Sequence, residues 1–298
     1  MADYQPPLRD IRFVLGELVD LDELCQFEAF SHLDPDTVVT TVEEFARWVA
    51  DVVAPLNRSG DLEGSVHDPT TGAVRTPTGF AGAYAQYRDA GWGAVPFAEE
   101  FGGGGFPWLA NIAMQEILGS ANLSFSMAPT LTQGAIDMLV HHGSETQREI
   151  YLPKMLTGEW SGTMNLTEPD AGSDVGALRT RAEPAGDGTY RITGTKIFIT
   201  FGEHDLADNI IHLVLARTPD APPGTKGISC FIVPKFLVDD DGSLGEANDV
   251  RCLSVEHKLG VKASPTCVMS FGEDGGAVGY LVGNRGAGLV AGVEIVAA

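Results

Sequence analysis

Apolar residues recur every three or four positions through the first half of the chain, and in short runs or alternation through the second. Val38, Val42, Phe45, Val49 and Val52 lay one apolar stripe along a helix. Phe80, Tyr84 and Tyr87 predict a second helix, and Leu109, Ile112, Glu116 and Ile117 a third. Ser144-Glu-Thr-Gln147 is a capping box that opens a further helix through Ile150, Tyr151, Met155 and Leu156. Pro153 marks a point where that helix breaks or kinks, because proline lacks the N–H and crowds the preceding turn.

The period changes after Gly162. Tyr190–Thr200 reads as two short strands turning at Thr193-Gly194. Asn209–Ala216, Gly227–Val233, Thr266–Phe271 and Val278–Val282 follow as strands, separated by clusters such as Thr218-Pro-Asp-Ala-Pro-Pro-Gly224. Strands without intervening helices predict an antiparallel sheet pair or barrel. The expected fold class is α+β. An N-terminal all-α domain spans 1–160, an antiparallel β-barrel-like domain spans 161–282, and 283–298 starts a further helical domain.

Composition narrows the function. An apolar fraction of 44% suits a soluble globular protein, with no sign of disorder. The N-terminus lacks a secretory pattern and no run reaches ~18 uncharged apolar residues, so a cytoplasmic protein without a membrane span is expected. A formal net charge of −22 argues against nucleic-acid binding, which needs clustered Lys and Arg. The same excess is awkward for any anionic ligand, which would require a locally basic pocket. The acidic stretches Glu17–Asp36 and Asp239–Asp241 read as solvated faces. Cys25, Cys230, Cys252 and Cys267 form no C-x-x-C pair, so reduced core thiols are expected rather than zinc ligands or disulfides. Adjacent His141 and His142 point to different helix faces and do not share a metal.

Two glycine-rich motifs carry little. Gly286-Ala-Gly288-Leu-Val-Ala291 has the G-x-G-x-x-A spacing of a dinucleotide turn, but seven residues remain after it, too few for the helix, strand and acid that fold requires. Gly102–Gly105 reads as a flexible turn before the helix near Trp108. Gly162–Asp174 says more. A strand meets Pro169 and then small polar residues, whose amides, with the Thr167 and Ser173 hydroxyls, can cradle a phosphate or a polar ring edge. An ordinary strand-to-turn corner accounts for the same residues equally well.

Thr167-Glu-Pro-Asp-Ala-Gly-Ser-Asp174 resembles the T-E-P-x-A-G-S-D signature of the acyl-CoA dehydrogenase family. Lys196-Ile-Phe-Ile-Thr200 is similar to that family's K-x-W-I-T flavin strand. Glu99–Gly103 resembles its E-x-[YF]-G-G turn, and Glu256–Thr266 its K-x-G-x-x-x-S-x-T segment. Order and spacing agree over nearly the whole chain. Tyr4–Pro7 and Ser264–Cys267 resemble the longer-chain branch that includes 3-methylmercaptopropionyl-CoA dehydrogenases.

The resemblance implies an FAD-dependent α,β-dehydrogenation of an acyl-CoA thioester to a trans-2-enoyl-CoA. It implies that Met164, Asn165, Leu166, Thr167, Gly172 and Ser173 line the flavin, with Thr167 on its pyrimidine edge and Ser173 also near the CoA arm. Ile199 and Thr200 belong to the same site, with Thr200 near the flavin N5. Phe198 covers one ring face, where many relatives place Trp, without that residue's N–H donor. The family's base is a glutamate of a C-terminal helical bundle, and no position here matches it. Glu168 and Glu256 are expected to be structural, and Glu294 has no framework around it. The expectation is a shortened acyl-CoA dehydrogenase, inactive alone, in a homo-oligomer or a mixed oligomer with a full-length relative. The alternatives are a non-catalytic partner subunit or a binding module that retains the barrel.

Overall fold

A computed structural model describes residues 4–239 and 241–288. Helices α1 (Leu8–Phe13), α2 (Leu21–Leu24), α3 (Pro35–Trp48) and α4 (Leu56–Glu63) lead to a small ribbon of β1 (Val66–His67) and β2 (Val74–Arg75). Next come α5 (Phe80–Asp89), α6 (Trp108–Ala121), α7 (Leu123–His142) and α8 (Glu145–Leu156). The β part comprises β3 (Trp160–Asn165), β4 (Arg181–Pro184), β5 (Tyr190–Thr200), β6 (Asn209–Arg217) and β7 (Ile228–Pro234). It continues with β8 (Phe236–Val238), β9 (Leu244–Ala247), β10 (Val250–Val255), β11 (Thr266–Phe271) and β12 (Ala277–Val282).

The helices start where local chemistry satisfies their first amides. Asp34 caps α3 by accepting from the Thr37 amide, with Pro35 at the first position. The Ser144–Gln147 box caps α8, which runs unbroken through Pro153. Two expected stripes shift. After Val49 the chain makes a π-turn over Val49–Val53, so Val53 is buried where Val52 was expected to be. In α6 the buried face is Ala110, Met114, Ile117, Leu118 and Ala121, while Ile112 is 57% exposed and Glu116 lies on the outer side. Alanines let α6 approach α3 and α7 closely, and their small size hid that face from the pattern of large apolar residues.

Strands β5, β12, β7, β6 and β4 close into a ring, completed where Arg181 of β4 stands opposite Arg217 of β6. The second half of β5 continues onto β11 and then β10. The ladder is not antiparallel throughout: β3 and β4 both run parallel to β6. The chain leaves β3, travels out and back through β4 and β5, and so re-enters in the same direction, as a parallel pair requires. Nor is there a hairpin at Gly194, because β5 is one strand of 11 residues. A Cβ at Gly194 would lie 2.4 Å from the Thr180 hydroxyl, so this glycine permits a close approach rather than a turn.

Strands β6 and β7 are buried almost end to end, which explains their unbroken apolar runs. One side faces the barrel interior. The other joins β3 in a core with α7 and α8, where a Cβ on Gly162 would meet that of Ala135 at 2.4 Å. Strand β12 is antiparallel to both neighbours, which excludes a parallel dinucleotide-binding unit there. Leu289 to Ala291 of that motif, Glu294 and the expected helix start lie outside the described residues. Gly102–Gly105 is a packed loop rather than a free one, since a Cβ on Gly103 would meet the Phe97 carbonyl at 2.0 Å. All four cysteines are buried and free. Among the described residues no helix is long and apolar enough to cross a membrane.

Candidate functional site

Leu166–Ser173 leaves the end of β3 as a closed turn, with Glu168 and Ala171 exchanging both backbone hydrogen bonds at 3.0 and 3.1 Å. Its shape is set from beneath by Glu168. That carboxylate accepts from the Arg179 amide (2.6 Å), the Thr180 amide (3.0 Å), the Thr180 hydroxyl (2.6 Å) and Lys196 Nζ (2.8 Å). Lys196 is fully buried and also donates to the Leu166 carbonyl at 3.0 Å. Burial pushes its ammonium down to about 8, against the opposing pull of Glu168. Burial alone would raise the Glu168 carboxyl, but Lys196 and the other three donors outweigh it and hold it below its ordinary value. Both groups are therefore charged at neutral pH.

Two bonds bring β5 to this turn. The Ile197 amide donates to the Thr167 carbonyl at 2.9 Å, and the Thr163 hydroxyl to the Thr200 carbonyl at 2.7 Å. Between them the β5–β11 register slips, with Cys267 opposite Ile199 and Met269 opposite Lys196. Phe198 is the bulged residue, with φ of 59° and 58% of its surface exposed. A left-handed backbone at a bulky residue is strained, and such strain concentrates at functional positions. The bulge holds an aromatic face outward beside the turn.

The sequence-predicted residues divide into three groups. Gly172, Ser173 and Phe198 are exposed, and Leu166, Thr167 and Thr200 are half-buried beside them. Among the described residues, the Thr167 and Ser173 hydroxyls and the amides of Thr167, Gly172 and Ser173 have no protein partner. Met164 faces the helices, and Ile199 lies in the barrel core. Asn165 points into the barrel, where its Nδ2 meets His212 Nδ1 at 3.2 Å, so it can offer the turn only backbone atoms. Sequence reasoning did not single out Lys196 as the pin of the turn, because nothing in the pattern marks a lysine for complete burial.

A buried Ser–His contact also emerges, Ser161 Oγ to His204 Nε2 at 2.9 Å. It is not a nucleophile and its base. His204 Nδ1 accepts from the Leu206 amide at 3.1 Å, which leaves the proton on Nε2 to be donated to the serine. Among the described residues no cluster of His, Cys, Asp and Glu gathers in metal-binding geometry.

A helical domain backs onto a barrel, whose rim sets a turn with unpartnered donors beside an outward aromatic face. The profile of the acyl-CoA dehydrogenase middle domain matches residues 163–273, and that of the N-terminal domain matches 37–159. This chain belongs to the acyl-CoA dehydrogenase family. It is 49% identical over 286 residues to 3-methylmercaptopropionyl-CoA dehydrogenase of Ruegeria pomeroyi, covering 96% of this chain and 48% of that one. Its fold superposes on butyryl-CoA dehydrogenase from Megasphaera elsdenii with a TM-score of 0.64 at 25% identity, over 84% of this chain and 60% of the other. The acyl-CoA dehydrogenase of Bacillus anthracis, solved in complex with FAD, gives a TM-score of 0.69 at 22% identity, over 88% and 40% of the two chains. The chain thus spans about half the length of the curated relative it matches.

Proposed function

We propose that this chain is the flavin-holding part of an FAD-dependent acyl-CoA dehydrogenase that converts an acyl-CoA thioester to the trans-2-enoyl-CoA. The observation that carries this is the strained, outward Phe198 beside unpartnered donors at Thr167 and Ser173. An apolar ring face next to a row of hydrogen-bond donors matches a flavin's flat face and polar pyrimidine edge. The family relationship and the FAD held by the Bacillus anthracis relative support the same reading.

When bound, FAD would supply the hydride acceptor that no side chain provides. The chain's own residues orient it. Thr167 offers its hydroxyl and amide to the polar edge, steadying negative charge that builds on reduction. Phe198 covers one face, and Thr200 closes the N5 side. Met164, Asn165, Leu166 and Ile199 contribute main-chain walls. Gly172 and Ser173 border the path of the CoA arm. Glu168 is not the base, because its two oxygens already accept from four donors. We assign the base to the C-terminal bundle of the family. Exposed Val14 and Ile112, which line one groove between α1 and α6, favour an oligomer, with this chain or a longer relative as partner.

Titrating FAD into the purified chain and following flavin fluorescence tests the cradle. Thr167→Ala removes one hydrogen bond worth ~1 kcal/mol and should weaken binding about fivefold. Equal FAD affinity in wild type, Thr167→Ala and Phe198→Ala would remove the cradle from this location. Turnover of acyl-CoA by the chain alone, with an artificial electron acceptor, would overturn the assignment of the base.

A further inference from the structure

The buried Lys196 Nζ donates to the Leu166 carbonyl at 3.0 Å as well as to Glu168 at 2.8 Å. The Glu168 bond holds the turn in shape. The Leu166 bond acts on the face that the turn presents. That carbonyl and the Thr167 amide are the two ends of one planar peptide unit, and among the described residues no peptide bond is cis. In a trans unit the C=O and the N–H point in opposite directions. The carbonyl end therefore faces the buried ammonium. The N–H end faces away from it, with no protein partner among the described residues.

A cation on a carbonyl oxygen draws electron density along the amide and leaves its N–H more positive, so hydrogen bonds at the two ends reinforce one another. The charge acts strongly here because water cannot screen it, with 0% of the Lys196 side chain exposed. Glu168 offsets only part of this field. Its carboxylate is shared with the Arg179 and Thr180 amides and the Thr180 hydroxyl, whereas Nζ lies directly on the Leu166 oxygen. The other titratable group acting on Lys196 is Cys230, whose thiol burial pushes up to about 12, so it stays uncharged.

We infer that Lys196 is a positioning residue for flavin reduction, acting through the Leu166–Thr167 peptide to make the Thr167 N–H a stronger donor toward the reduced ring. This rests on the flavin reading of the turn and adds to it a residue on the far side of the peptide from the flavin. Reduction puts negative charge on the ring's polar edge, whereas the oxidised ring is neutral there. A donor made more positive gains more against the charged form than against the neutral one. Lys196 thereby raises the potential of the bound flavin.

The readout is the potential of FAD bound to the 298-residue chain, because mere loosening of the turn weakens both oxidation states alike and leaves the potential unmoved. The comparison is the double variant Lys196→Met with Glu168→Gln, which removes both charges together. It should bind reduced FAD about tenfold more weakly relative to oxidised FAD, lowering the potential of this two-electron couple by ~30 mV. A second signature needs neither flavin nor a variant. In wild type the Thr167 amide resonance should move with pH as Lys196 loses its proton near 8, while Glu168 stays ionised. Equal potentials in the two proteins, with FAD bound to both, overturn the inference and leave the flavin reading standing. A Thr167 amide that ignores the titration near pH 8 also overturns the inference alone. Failure of wild type to bind FAD in either oxidation state overturns the flavin reading and the inference together.

Discussion

Replacing Lys196 with methionine should cost the fold about 3–5 kcal/mol, because it strands a buried carboxylate without its counter-charge. The pair is held at 2.8 Å with the two side chains 0% and 6% exposed, so water cannot take the lysine's place. A loss of that size is a large part of the ~5–15 kcal/mol that stabilises a typical domain. It should appear as a lower urea midpoint with unchanged slope. The double variant Lys196→Met with Glu168→Gln should recover part of the loss, since it removes both charges and leaves the Arg179 and Thr180 donors an uncharged acceptor. An unshifted midpoint for Lys196→Met alone would show that the pair does not hold the turn. Acid should have a related effect. The Glu168 carboxyl is held below its ordinary range, so its contribution is present above that range and is lost as pH falls through the lower folded value.

Mild acid should also destabilise the protein through His204 and His212. Burial pushes both imidazoles down to about 3, and the positive charge of Lys235 adds to the effect. Both nitrogens of His204 are already committed, one to the Leu206 amide and one to Ser161, so the ring is held neutral. In the unfolded chain each histidine takes a proton near pH 6.5. Between those values the unfolded state binds protons that the folded state refuses, so stability falls as pH drops below about 6.5. At pH 5 the loss is ~2 kcal/mol for each histidine. Burial raises the Glu203 carboxyl, against the pull of Lys235, and its earlier protonation offsets part of the loss at the acid end. Tm measured from pH 7.5 to 5 should fall steadily, and the slope should flatten in His204→Gln. A flat profile in the wild type would mean that these rings are not buried and neutral in solution.

Much of the architecture was legible because it rests on short-range rules. The cap at Ser144, the stripe from Val38 to Val49 and the apolar runs of β6 and β7 depend on residues close in sequence. Three of the expectations that failed involved neighbours from elsewhere in the chain. Gly194 looks like a turn until Thr180 is placed 2.4 Å from where its Cβ would be. Ile112 looks like core until the alanine face of α6 meets α3 and α7. The parallel pairing of β3 with β6 follows from where the chain returns, which periodicity does not encode.

The segment Met164–Ser173 shows the same division. The sequence by itself determined a strand ending in a run of small and polar residues, and its motifs placed the chain in its family. The tertiary structure decided what that run became. Lys196, 28 residues beyond Glu168, provides the buried charge that holds the turn. The bulge in β5 turns Phe198 outward beside it. Arg217, brought across from β6, joins Gly176 and Leu178 to the loop at 222–224. A motif specifies which groups are available, whereas burial and charge act through space and depend on which distant residues the fold brings alongside.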